Sequence, residues 1–490
     1  ESILTGESLP IDKENGSLVS SGTMNKNGTL ICKATKVGDE TTLNQIVKMV
    51  EDASGTKTNI SRIADRVAGV FVPIVIFIAV IVFVFWLIFG KGFVSANLHV
   101  TTFSYALERA IAVLVISCPC ALGLATPVAI MVGNGKAARN GILFKTSSAM
   151  EETGKTDYVV LDKTGTITKG KIKVSDVISL TDENELFRIA YSLERGSEHP
   201  LSKAITSYMS EKNVEKIDCV DFKALPGSGV EGVIDGKRCF AGNEKMMKER
   251  GVVFDEVKDK VADEQGQGKS CLFFAKENRL LGVITVSDVI KEDSKEAISL
   301  MKEEGLSVIM LTGDNYKTAK KIASDVGVDA FVSDVLPDGK LEVIKELKKH
   351  GKVMMVGDGI NDAPALTEAD IGVAIKKGSD IALDSADVIL MKSSLMDALK
   401  AIRLSRHTFL NIKENLFWAF IYNIIMIPIA AGAFSSLGLA KMKPWMGAAA
   451  MSVSSLTVVL NALRINAFSL DKKRRAKNKK EIPPILTKKI

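Results

Sequence analysis

Four stretches of this sequence carry no charged residue over the length that a helix needs to cross a bilayer: residues 67–90, 110–135, 417–440 and 444–463. A hydrocarbon core calls for roughly 20 apolar residues in a helix, because lipid offers no partner to unpaired backbone. Overall the chain is 46% hydrophobic and 25% charged, so its apolar residues must be segregated, and these runs are where they go. Four spans in two pairs follow, joined by a long mixed region. Arg62 and Arg66 precede the first run, Lys136, Arg139 and Lys145 follow the second, and Arg403, Arg406 and Lys413 precede the third. Positive charge marks the cytoplasmic side, so the region between the pairs is expected there, and membrane lipid is an obligatory partner. The net charge of +6 is modest and much of it lies in 472–480, which argues against nucleic acid as a partner and for a juxtamembrane tail meeting anionic head groups. The chain opens at Glu1, with no initiator Met and a motif under way, so an N-terminally incomplete protein is expected.

The region from Lys136 to about Arg406 alternates short β-branched runs with helical patterns, the mark of an α/β fold. Three of its apolar runs end in an acidic turn. Tyr158-Val159-Val160-Leu161 leads to Asp162-Lys163-Thr164-Gly165-Thr166, a second run leads to Thr312-Gly313-Asp314, and a third to Gly357-Asp358-Gly359-Ile360-Asn361-Asp362. Parallel sheets collect their chemistry at the C-terminal ends of the strands, so the three ends are expected to converge. Asp162 is then a nucleophile, Asp162 and Asp358 offer hard oxygens to Mg²⁺, Thr312 donates to a phosphoryl group, and Lys163 and Lys340 supply positive charge. Between the Asp162 strand and the next strand of its sheet, expected near Gly282-Val283-Ile284, lie residues 171–281, far more than a crossover helix needs, so an inserted domain is expected. Within it Gly266-Gln267-Gly268-Lys269-Ser270 ends like a phosphate-binding loop, but the Gly that such a loop requires at its start is Asp263.

The order of Thr5-Gly6-Glu7-Ser8, Cys118-Pro119-Cys120, Asp162 to Thr166, Ser197-Glu198-His199-Pro200, Thr312 to Asp314 and Gly357 to Asp362 resembles the heavy-metal P-type ATPases over nearly the whole chain. The resemblance implies that ATP phosphorylates Asp162, with Lys340 and Thr312 as phosphoryl contacts. It implies Asp162, Thr164 and Asp358 as Mg²⁺ ligands, and Glu7 as the residue that positions the hydrolytic water. Lys163, Thr164, Glu198, His199, Gly227, Gly229, Gly242, Asn243, Asp314 and Asp362 are the nucleotide-binding residues it implies. On its own His199 reads as a helix cap or surface residue. The expected fold is multidomain: α-helical transmembrane spans plus an α/β haloacid-dehalogenase-like phosphorylation domain, interrupted by an α+β nucleotide-binding domain. The expected divisions are an actuator remnant (1–50), a transmembrane pair (55–145), a phosphorylation domain (146–170 and 282–398), a nucleotide-binding domain (171–281), a second transmembrane pair (399–468) and a basic tail (469–490).

Pro119 removes a backbone donor inside the second run and lets the flanking Cys118 and Cys120 turn inward, and soft thiolates suit Cu(I) or Zn²⁺. The last two runs hold no Asp, Glu or Lys to neutralise a divalent ion. In the copper-exporting branch that the chain resembles, a Tyr-Asn pair and a Met followed by Ser four residues on accompany the cysteines. Here these are Tyr422, Asn423, Met451 and Ser455, so Cu(I), with Ag(I) as its mimic, is the expected cargo and a cytoplasmic copper carrier the expected donor. The bacterial cell membrane is the expected location. Three rival readings carry less: a Zn/Cd-type transporter, a passive metal-binding channel that leaves the acidic motifs unused, and a haloacid dehalogenase-like phosphatase. The phosphatases usually place a second Asp two residues after the nucleophile, where this chain has Thr164. With most of the actuator domain missing, the piece given is expected to bind ATP but not to complete transport alone.

Overall fold

The computed structural model describes residues 58–91, 101–118, 120–197, 199–225, 228–314, 316–335, 337–358, 362–375, 384–434, 444–471 and 479–483, with short pieces between 13 and 55. The expected β-rich beginning, 2–48, falls largely outside them. The described chain forms two compact units.

The first unit is mainly helical. Helix α1 (Asn59–Phe89) begins where the Thr58 hydroxyl accepts the Ser61 N–H, and it presents apolar side chains on all sides. An all-round apolar helix belongs in lipid or in a core. The second apolar run is broken: α2 (Thr102–Ile116) stops, Ser117 and Cys118 leave the helix, and α3 (Cys120–Arg139) restarts after Pro119. The break has a chemical cause, since Pro119 has no N–H to continue the ladder. The Cys118 N–H bonds Val115 O at 3.3 Å, and Ser117 Oγ adds a second donor to Val113 O at 2.7 Å. Strand β1 (Ile142–Phe144) and helix α4 (Ser147–Lys155) follow.

The second unit holds two sheets. In chain order it contains β2 (Tyr158–Asp162), β3 (Thr168–Ser179), α5 (Glu183–Glu194), α6 (Pro200–Glu211), β4 (Val220–Leu225), β5 (Gly229–Ile234) and β6 (Lys237–Gly242). Next come α7 (Glu244–Glu249), α8 (Lys258–Gly266), β7 (Ser270–Lys276), β8 (Arg279–Ile290), α9 (Ser294–Glu303), β9 (Ser307–Leu311) and α10 (Tyr316–Val326). The series closes with β10 (Ala330–Val332), α11 (Pro337–Lys348), β11 (Val353–Gly357), α12 (Ala363–Glu368) and β12 (Ile371–Ile375). Strands β12, β11, β2, β9 and β10 lie side by side in that order, all parallel. All five residues of β2, β9 and β11 are buried, as expected for strands covered on both faces. The second sheet is antiparallel in the order β3-β8-β7-β6-β5-β4, and its core gathers Leu186, Leu193, Ile205, Phe274 and Ile284. Its adjacent strands β3 and β8 run from Thr168 and to Ile290, beyond both ends of the 171–281 insertion, so residues 282–284 belong to this sheet and not to the parallel one.

The remaining elements are β13 (Val388–Leu390), which pairs antiparallel with β1 in the first unit, and the long helices α13 (Leu395–Ala430) and α14 (Pro444–Ala467). The third apolar run departs from expectation. It is the second half of a helix that starts at Leu395 and stops at Ala430, short of residue 440, where the chain turns through residues 431–434. Trp86 Nε1 donates to Ala431 O at 2.7 Å, meeting one of the carbonyls that the helix end leaves open. Within this unit Asn411, Asn415 and Asn461 tie α13 to α14: Asn411 Nδ2 donates to Asn461 O and Asn461 Nδ2 to Asn415 Oδ1, both at 2.8 Å. Among the described residues, four helices are long and apolar enough to cross a membrane when α2 and α3 are taken as one run.

Candidate functional site

Register brings the acidic turns together. Asp162 lies opposite Leu311 across one side of β2, and Leu161 lies opposite Val356 across the other, so the residues that follow each strand share one edge. Oxygens of Asp162, Asp358 and Asp362 fall within 4.8 Å of one another. Lys340 stands between two of them, its Nζ donating at 2.6 Å to Asp162 Oδ1 and at 2.6 Å to Asp362 Oδ1. Lys163 Nζ donates to Asp314 Oδ2 at 2.6 Å, and the buried Thr312 accepts the Asp314 N–H at 3.1 Å.

The turn after Asp162 is built for close approach. Thr164 is extended and exposed, Gly165 has φ +72°, and the Thr168 N–H closes the turn on Lys163 O. A Cβ on Gly165 would stand 1.6 Å from Asp358 Oδ2, so space and backbone both demand glycine. A lysine that sequence reasoning missed holds the turn from behind. Buried Lys291 donates from Nζ to Gly165 O at 2.6 Å and from its backbone to Ile167 O at 3.0 Å. Ser294 Oγ adds a bond to Ile167 O at 2.8 Å. Neither residue lies in a recognisable string, so only the fold reveals them.

Burial and like charge act on the carboxylates. The Asp162 carboxyl is pushed up to about 7, first by burial and then by the Asp362 charge, against the pull of Lys340. Asp358 is pushed up as well, by burial first and then by Asp362. Three crowded hard carboxylates, with the ionisation of Asp162 and Asp358 suppressed, are a donor set that a dication relieves, so the residues fit Mg²⁺.

In the antiparallel half, a cavity of about 450 Å³ is lined by His199, Gly229, Gly242 and Asn243 of the expected set, and also by Glu194, Ser228 and Leu272. His199 both lines this cavity and caps α6, its Nδ1 accepting the Leu201 N–H at 3.3 Å. Glu194 escaped sequence reasoning as a lone acid on a helix. It is buried at the wall, and burial raises its carboxyl above the usual range against the pull of a Ser202 hydrogen bond. Glu7, Glu198 and Gly227 lie outside the described residues.

In the helical unit a small cavity brings Cys118, Tyr422, Asn423 and Met451 together from α13, α14 and the break before α3. Ser454, three residues on from Met451 along α14, lines it as well, and the expected Ser455 is not among its lining residues. Cys118 is disulfide-bonded, so it becomes a thiolate ligand only on reduction. The side chain of Cys120 is outside the described residues.

A family model for haloacid dehalogenase-like hydrolases matches residues 156–370, and one for the P-type ATPase actuator domain matches residues 1–51. A crystal structure of a zinc-transporting PIB-type ATPase in its E2.Pi state superposes with a TM-score of 0.71 at 30% identity, covering 95% of this chain and 74% of that one. The chain belongs to the PIB-type ATPases. Among curated members of the P-type family, the copper-exporting P-type ATPase of Staphylococcus saprophyticus is 46% identical over 471 residues, 96% of this chain and 57% of the relative. That of Staphylococcus aureus (strain JH9) is 45% identical over 477 residues, 97% of this chain and 57% of the relative. The chain thus spans little more than half the length of these curated relatives.

Proposed function

We propose that the whole protein exports Cu(I), and Ag(I) as its mimic, across the bacterial cell membrane at the expense of ATP. The observation that carries the cargo assignment is the cavity of Cys118, Tyr422, Asn423 and Met451, a soft and uncharged donor set. Copper-exporting relatives at 45–46% identity support it over the zinc transporter at 30%. The nucleotide rests in the cavity that His199, Gly229, Gly242, Asn243 and Glu194 line. An Asp162 oxygen attacks the γ-phosphorus, the bond to ADP breaks, and an aspartyl phosphate forms. Lys340, Thr312 and the amides of 164–166 take up the charge that develops on the phosphoryl oxygens. Asp162, Asp358 and Thr164 would hold Mg²⁺, which would offset the phosphate charge. Glu7 orients the water that returns Asp162 to its free form. A cytoplasmic copper carrier is the expected donor.

The test is phosphoenzyme formation by the full-length protein under reducing conditions. Cu(I) and Ag(I) stimulate it, Asp162→Asn abolishes it, and stimulation by Zn²⁺ or Cd²⁺ alone overturns the cargo assignment.

A further inference from the structure

The parallel sheet has two ends, and the chemistry occupies only one. At the other, where β2 and β9 begin, the chain's own C-terminal segment is seated. Ser307 Oγ donates to Lys480 O at 2.5 Å, and the Tyr158 phenol donates to Glu481 O at 2.8 Å. Lys479 Nζ reaches Asp329 Oδ1 at 2.6 Å, while Lys480 Nζ lies 2.9 Å from His350 O and 3.1 Å from Asp157 Oδ2. Ile482 packs on the core formed by Tyr158, Val353 and Leu347, and Pro483 is buried. Gly351 makes room for this seat, since a Cβ there would stand 2.8 Å from Lys480 Nζ.

The seat is built to be left. Asp329 also pairs with Lys302 at 3.2 Å and accepts the Val308 N–H at 2.9 Å, and Asp157 accepts the Lys352 N–H at 3.0 Å. Departure of the two lysines therefore strands neither carboxylate. Their side chains are 40% and 43% exposed, a setting in which ion pairs are weak and salt-sensitive. The same segment follows membrane helix α14 and reads Lys472-Lys473-Arg474-Arg475-Ala476-Lys477-Asn478-Lys479-Lys480. Basic clusters beside a membrane helix are drawn to anionic head groups, so two acceptors compete for one strap.

We propose that residues 479–482 are a releasable strap on the unit bearing Asp162, exchanged between the Asp157 and Asp329 seats and an anionic lipid surface, and that seating slows turnover. The effect on turnover rests on the function proposed above; the exchange does not. Full-length protein is reconstituted in phosphatidylcholine vesicles with and without phosphatidylglycerol, and hydrogen exchange is followed at 157–161 and 307–311 alongside metal-stimulated ATP hydrolysis. The wild type shows protection in phosphatidylcholine that is lost when phosphatidylglycerol is added, with faster hydrolysis. The double variant Lys479→Glu/Lys480→Glu lacks the protection in both lipids and hydrolyses ATP at the faster rate in both. Equal protection in wild type and variant overturns the strap, and protection indifferent to phosphatidylglycerol overturns the exchange. Exchange that responds while hydrolysis does not overturns the regulatory role. Absence of metal-stimulated hydrolysis from every sample counts against the proposed function, and the exchange data still decide the strap.

Discussion

At Asp162 the structure sets the proposed nucleophile's ionisation against its burial. The carboxyl is pushed from its ordinary 3.8 up to about 7, so the fold favours its protonated form. The sign follows from linkage: this contribution to stability is fully present below the ordinary value and is lost as pH rises through about 7. In chelator, the thermal stability of the wild type is expected to fall from this cause between those limits. Asp162→Asn is expected to show a flatter profile over the same range, measured by thermal denaturation in a pH series. Lys291 provides a second prediction. Lys291→Gln frees the Gly165 carbonyl and is expected to slow phosphoenzyme formation by about 10²-fold, the order of loss for a displaced reacting group. Its KM for ATP should stay unchanged, and Lys291→Arg should recover part of the rate; rapid-quench phosphorylation measures all three. Asp162, Asp358 and Lys340 were legible because each follows a strand or helix signal in a fixed order. Lys291 and Glu194 were not, because a single charged side chain carries no periodicity and its role is set by what folds against it.

Among the elements, those that answer to a strong physical constraint were the ones sequence could place. A bilayer demands long charge-free helices, and Pro119 demands a break, so the four spans and the interruption between α2 and α3 were both readable. The extent of α13 was not, since its charged first half reads as part of the soluble region and its last turns read as more membrane helix. The long strands β3 and β8 outran their expected boundaries because pairing in register, not local composition, decides where a ladder stops. The Asn411, Asn415 and Asn461 set went unnoticed for the same reason: the three become one feature only when α13 and α14 pack. Asn461→Ala removes the amide that donates to Asn415 Oδ1 while keeping the Asn461 carbonyl that Asn411 bonds, and is expected to destabilise this helix pair by about 1–3 kcal/mol, the cost of leaving one buried amide oxygen unsatisfied. Chemical denaturation in detergent micelles checks it.

For the whole molecule, redox state belongs with cargo. Because Cys118 is disulfide-bonded here, metal-stimulated phosphorylation is expected to need a reductant and to be lost on oxidation, while ATP affinity stays the same. Comparing phosphoenzyme yield and nucleotide binding with and without reductant separates the two. The helical unit also has an economy of space. The cavity at Cys118 and Met451 leaves a volume of about 10 Å³, the room of roughly one water-sized sphere. Under the proposed function, an ion that enters would leave its hydration shell outside, and sulfur, phenol and amide would take its place. Loading would then be a relay of ligands, each bond to a donor exchanged for one to the site, with no room beside the ion for a second guest.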